Sequence, residues 1–162
     1  MPQLRVIVVE DEPLYRDMLI LALADEYQFE VVAEYSDSES VLSEIETIDA
    51  HVATLDIRIP GPINGFELGL RLREAHPHLG LVFLSNFCEP TFMEALKRRS
   101  LTGWAYLLKN SLTDLATLRR ALHGVTSGDL VVDPAVAERL RARKVSVLER
   151  LTERQQEVLE LI

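Results

Sequence analysis

Five times within the first 125 residues, a short apolar run stops abruptly at a polar residue and gives way to a helical pattern. No other feature constrains the fold as much, because a strand that is apolar throughout must be buried on both faces, and parallel strands need a crossover of helix length between them. The first run, 4–9, stops at Glu10-Asp11-Glu12. Pro13 then suits the first turn of a helix, where its missing N–H costs nothing, and Leu14, Met18, Leu21 and Ala22 follow at helical spacing. Residues 29–33 read as a strand and 38–48 as a helix opened by Asp37 or Ser38 as cap. Residues 51–55 form a run ending at Asp56, followed by a Pro/Gly loop over 60–65 and a helix over 66–75. Residues 80–84 end at Ser85 before a helix over 90–99, and 104–108 end at Lys109 before a helix over 112–123 opened by Ser111. Strict alternation of this kind predicts an α/β chain built on a five-stranded, doubly wound parallel sheet, followed by a helical tail.

In such sheets the ligand site lies beyond the C-terminal ends of the strands. The residues closing the strands are Glu10 and Asp11, Asp56, Ser85 and Lys109. Three carboxylates in one cleft repel one another, which raises a pKa or demands a cation, and an all-oxygen ligand set suits Mg²⁺. A metal among carboxylates also attracts phosphate, and Asp56 as nucleophile can accept a phosphoryl group as an acyl phosphate. Ser85 can donate to a phosphate oxygen, and Lys109 can neutralise another as a point charge. An isolated Asp or Lys at a strand end is ordinarily a solvated loop residue. The signal here is that all five fall at the same end of successive strands.

These residues resemble the receiver domain of two-component response regulators, over about residues 4–124. Glu10-Asp11 look like its acidic pair and Asp56, in Leu55-Asp56-Ile57-Arg58-Ile59-Pro60, like the phosphoacceptor with its loop. Ser85 looks like the switch hydroxyl, and Lys109, in Tyr106-Leu107-Leu108-Lys109, like the invariant lysine. The resemblance implies a flavodoxin-like (βα)5 fold and Mg²⁺ held by Glu10, Asp11, Asp56 and the backbone carbonyl of Arg58. It implies phosphorylation of Asp56 by a histidine kinase, with Tyr106 rotating as Ser85 closes on the phosphate; the plainer alternative for Tyr106 is a core aromatic on an edge strand. It also implies that the side chains of Arg58 and Phe87 flank the approach of hydrolytic water. Phe87 is expected to shield that path, and Arg58 either reaches over the phosphate or extends into solvent. Two departures stand out: the loop after Pro60 holds an extra residue over 61–65, and Asn110 follows Lys109 where many receivers have proline. An enzyme reading, an aspartate-nucleophile phosphatase, needs a second acid two residues after the nucleophile. That position is Arg58.

Charge divides the chain. Residues 1–133 carry 11 Lys+Arg against 21 Asp+Glu, a net −10, while residues 134–162 carry 6 against 5, a net +1. The acidic part is ill suited to holding nucleic acid, whose phosphates need Lys and Arg. Residues 127–134 read as a turn-bearing junction, followed by an apolar stripe of Val136, Leu140, Val147, Leu148 and Leu151. Thr152 and Gln155 form a capping box in a stretch, 151–159, that resembles the opening helix of a LuxR-type helix-turn-helix domain. The expected organisation is a receiver over 1–125, a linker with a helix over 126–150 and the start of that DNA-binding domain over 151–162. The expected partners are a histidine kinase, a second copy of the chain in a homodimer favoured by phosphorylation, and DNA only through the remainder of the C-terminal domain. The alternative is a receiver that switches a protein partner without DNA. No apolar run has the roughly 18–20 residues a membrane span needs, and the single cysteine, Cys88, fits a reducing cytoplasm.

Overall fold

The computed structural model describes residues 3–90, 92, 94, 95, 102–112, 114–139, 141 and 142. The elements run β1 (Leu4–Val9), α1 (Pro13–Ala24), β2 (Phe29–Tyr35), α2 (Ser38–Ser43), a 3-10 turn (Ile45–Thr47), β3 (Val52–Asp56), α3 (Gly65–Ala75) and β4 (Gly80–Ser85). After these come β5 (Trp104–Leu108), a 3-10 turn (Lys109–Ser111), α4 (Leu115–Thr126) and β6 (Leu130–Val132). Every strand pairing is parallel, and the sheet order is β2-β1-β3-β4-β5-β6. The doubly wound sheet expected from the alternation is present, with six strands rather than five.

The sixth strand corrects the reading of 127–134 as a bare junction. Leu130, Val131 and Val132 pair with Trp104, Ala105 and Tyr106, so β5 is an interior strand and Tyr106 does not lie on an edge. Three residues are too short to show a period, and this strand exists because the open side of β5 offers hydrogen-bonding groups to match. A helix begins directly after it at Pro134.

Successive side chains of a strand point to opposite faces, and the core divides accordingly. Val6 and Val8 join an aliphatic layer with Val82, Leu84, Ala105 and Leu107 under α1 and α4. Ile7 and Val9 join the opposite layer, which holds Phe66, Phe83, Phe92, Trp104 and Tyr106 as a run of ring contacts.

Local chemistry sets the helix ends. Asp37 caps α2, its carboxylate accepting from Ser40 N at 2.7 Å, and Asn64 caps α3 through Glu67 N at 2.9 Å. The last helix starts later than expected: Asp114, not Ser111, is its cap, accepting from Thr117 N at 2.9 Å, while Lys109–Ser111 form the 3-10 turn. The helix expected over 38–48 is α2 followed by the 3-10 turn, with Tyr35 Oη donating to Glu44 Oε2 (2.6 Å) at the break between them. The peptide bonds of the described residues, Lys109–Asn110 included, are trans. The helix expected over 90–99 lies largely outside the described residues. The capping box at Thr152 and Gln155 lies wholly outside them.

Candidate functional site

Register brings the strand ends together. Val9 lies opposite Leu55, Asp56 opposite Leu84, and Ser85 opposite Leu108, so Glu10, Asp56, Ser85 and Lys109 terminate four neighbouring strands on one side of the sheet. The chain turns to opposite sides after β1 and after β3, so these residues sit at the topological switch point.

Asp56 is 6% exposed and held from two directions. Lys109 Nζ donates to its Oδ2 at 3.0 Å, and Arg58 N donates to its Oδ1 at 3.1 Å. The backbone around it is tied down by Ile57 N donating to Leu84 O (3.2 Å) and Gly65 N donating to Ile57 O (2.8 Å). A Cβ on Gly65 would sit 2.0 Å from Asp56 O, so a glycine is needed for α3 to start this close. Gly61 turns the loop after Pro60 with a φ of +122° that only glycine adopts readily, while Ser38 N donates to Pro60 O at 3.0 Å. The loop thus delivers α3 against the site.

Glu10 is fully buried beside Lys109, with Nζ and Oε2 2.9 Å apart. The same ammonium donates to Asp56, so one lysine serves two buried carboxylates. Burial raises the Glu10 carboxyl to about 7; Lys109 offsets part of that rise, and the charge of Asp56 adds to it. Burial alone would lower the Lys109 ammonium, but its bonds to Glu10 and Asp56 outweigh burial and raise it. Glu10, Asp11 and Asp56 each place a carboxylate oxygen within 4.8 Å of the others, and Asp11 is the more exposed of the three. Three carboxylates this close share one ammonium, and an all-oxygen set of this compactness fits a hard divalent cation such as Mg²⁺.

Ser85 is buried and accepts from Phe87 N through its hydroxyl at 3.2 Å. Tyr106 is turned fully inward; its phenol donates to Phe87 O at 2.6 Å and accepts from Glu89 N at 2.9 Å, and burial raises its pKa. The Arg58 side chain lies largely in solvent, 67% exposed, and is anchored at its head. Its guanidinium carbon lies 4.7 Å from the centroid of the Phe87 ring, and its Nε pairs with Glu89 Oε1 at 3.0 Å.

Sequence reasoning missed three participants. Tyr15, on the first turn of α1, lays its ring 4.4 Å from Lys109 Nζ. Glu89 bridges Arg58 and Tyr106. Asp133 reaches back to β5, with Leu108 N donating to its Oδ2 at 3.2 Å. The signals were faint: an aromatic two residues after Pro13, an acid four residues after Ser85, and an acid before Pro134 that read only as part of a turn.

A carboxylate with both oxygens positioned, a neighbouring ammonium and a cation-fitting acid cluster can attack an electrophilic phosphorus and neutralise its oxygens. The comparisons agree in kind. The model of the response regulator receiver domain matches residues 6–122. The chain is 28% identical over 138 residues to the transcriptional regulatory protein DegU of Brevibacillus brevis, covering 85% of this chain and 56% of DegU. It is 29% identical over 165 residues to the nitrate/nitrite response regulator protein NarL of Escherichia coli K12, covering 97% of this chain and 74% of NarL. The chain thus spans little more than half of DegU and about three quarters of NarL. A solved structure of two RcsB dimers bound to two parallel DNAs superposes with a TM-score of 0.72 at 22% identity, covering 86% of this chain and 69% of that one. The relatives are response regulators of the LuxR/NarL type, and by the match over residues 6–122 this chain belongs to the response regulator receiver domain family.

Proposed function

We propose that the chain is a cytoplasmic switch thrown by phosphorylation of Asp56. The observation that carries this reading is a nearly buried Asp56 fixed 3.0 Å from Lys109 Nζ within a compact set of three carboxylates. A carboxylate oxygen of Asp56 attacks the phosphorus of a phosphohistidine on a partner kinase. The P–N bond breaks, its electrons leave with the imidazole nitrogen, and an acyl phosphate remains on Asp56. Lys109 orients the carboxylate before attack and pairs with a phosphoryl oxygen afterwards, while the Ser85 hydroxyl donates to another. Glu10, Asp11, Asp56 and the Arg58 carbonyl would hold Mg²⁺, which when bound offsets the charge gathering on phosphoryl and carboxylate oxygens. No external substrate is turned over; the phosphoryl group is lost slowly to water, past Phe87 and the arginine stacked on it.

The output follows the relatives. Phosphorylation favours a homodimer and thereby transcriptional control, with DNA contacted by the C-terminal domain that begins near residue 151. The dimer face is the surface of α1 and α4. There Leu14, Met18 and Leu21 are exposed beside a groove of about 190 Å³ lined by Tyr15, Leu112 and Leu115, while the side of β5 is already taken by β6. Asp56→Asn, whose amide cannot act as nucleophile, tests the reading. Mass spectrometry after acetyl phosphate and Mg²⁺ should show one phosphoryl group on the parent and none on the variant. Undiminished labelling of Asp56→Asn would place the acceptor elsewhere.

A further inference from the structure

From the docking of the segment after α4, we infer that Asp133 is a positioning residue, linking the phosphoacceptor site to the start of the linker; the inference rests on the reading of Asp56 above. β6 pairs along Trp104, Ala105 and Tyr106, and the Asp133 N–H donates to Tyr106 O at 2.8 Å. Asp133 is 2% exposed, and both of its carboxylate oxygens are engaged. Oδ1 accepts from Ala135 N at 2.9 Å, capping the helix that follows, while Oδ2 accepts from Leu108 N at 3.2 Å. Leu108 immediately precedes Lys109, whose ammonium spans Glu10 and Asp56. One turn into the helix, Val136 is fully buried in the cluster that contains inward-turned Tyr106 and Phe92.

One carboxylate therefore ties the first turn of the linker helix to the backbone of the strand that carries both Tyr106 and Lys109. A buried carboxylate left with an unmatched partner is costly, so the two bonds tend to be kept or lost together. The docked linker and the inward Tyr106 occur in the same arrangement. Whatever phosphoryl chemistry at Asp56 does to Lys109 and Tyr106 bears on the docking of the linker, and by linkage the docking bears equally on the affinity of the site for a phosphoryl group. This gives the C-terminal segment a route to sense Asp56 that needs no second subunit.

The test uses the full 162-residue chain with Mg²⁺ and beryllofluoride as an equilibrium mimic of the phosphoryl group. Hydrogen exchange at the Asp133 and Leu108 amides should slow by about fivefold or more on beryllofluoride binding, the low end of coupling between linked sites. Asp133→Ser keeps an oxygen to cap the helix but has no second oxygen for Leu108 N. It should fold with near-parental helix content, lose the beryllofluoride effect on the Leu108 amide and bind beryllofluoride more weakly by the same factor. A residue that only capped a helix would move neither readout. Val136→Ala, which leaves Asp133 in place and removes the buried anchor, serves as a second variant and should weaken the coupling in the same direction. The inference is overturned if beryllofluoride binds the parent without slowing these amides, or if both variants bind it as tightly as the parent does. If the parent binds no beryllofluoride and Asp56 takes no label from acetyl phosphate, the phosphoacceptor reading itself falls, and this one with it.

Discussion

The two ends of the sheet handle charge in opposite ways. At the N-terminal ends of the strands two arginines are matched to partners. Arg73 donates to Leu79 O, Thr102 O and Gly103 O, each at 2.9 Å. Arg5 N donates to His51 Nδ1 at 2.8 Å, and the Arg5 guanidinium pairs with Asp49 at 2.8 Å. At the C-terminal ends one ammonium serves two buried carboxylates, and a third acid stands nearby. One end uses charge to close the fold, and the other gathers three carboxylates around one ammonium. That imbalance marks the end at which a cation and a phosphoryl group are expected.

If the contrast holds, substitutions at the first end should act on folding and those at the second on chemistry. The largest effect is expected from Arg73→Ala, which strips three backbone carbonyls of a donor and should cost about 2 kcal/mol in urea unfolding. Labelling by acetyl phosphate, per folded molecule, should be unchanged; a matching loss of labelling would erase the distinction between the ends. Next, Asp11→Ala should weaken Mg²⁺ binding about tenfold or more by calorimetry, since one of three carboxylates is removed. Without metal at low salt, the same variant should be no less stable than the parent, because a repelling charge has gone.

A smaller effect concerns pH. Burial pushes the Glu10 carboxyl from its ordinary 4.5 up to about 7, so between these values the folded chain holds more proton than the unfolded chain. Its contribution to stability is full below pH 4.5 and is lost as pH rises through 7. The depressed carboxyls of Asp37 and Asp114, each at a helix N-terminus, act in the opposite sense and only at lower pH. The metal-free urea midpoint should therefore fall from pH 5 to pH 7 in the parent, and Glu10→Gln should flatten that slope. The smallest effect is expected from Phe87→Ala. It removes the ring on which Arg58 rests and should speed loss of the phosphoryl group several-fold, about 1 kcal/mol of barrier, in single-turnover decay. Decay no faster than the parent would show that the ring does not shield the site.

The alternation of buried strands and the polar residues at their ends were legible because both follow short-range rules: continuous apolar runs, and chemistry at one end of a parallel sheet. What escaped is nonlocal. Leu130–Val132 is a strand only because β5 lies open beside it, and nothing within those three residues says so. Asp114 outcompeted Ser111 as a cap because Lys109–Ser111 first form a separate turn that delivers Lys109 into the site. The placement of Arg58 depends on Phe87 and Glu89, 29 and 31 residues further along the chain, at a separation no period reaches.

The sixth strand also bears on where this polypeptide can be cut. A fragment ending at Thr126 would uncover the side of β5, whose five residues are all buried and apolar. Unpaired strand edges of that kind invite pairing with other chains. In the intact arrangement the two outer strands are defended differently: β2 presents Glu30 and Glu34 to solvent, while β6 is three residues long and is closed off by Pro134, which has no N–H to offer a further strand. A truncated receiver would thus be expected to associate edge to edge, and that artefact would masquerade as the regulated dimer. Carrying the fragment through Val136 keeps the barrier to aggregation that the sequence already contains.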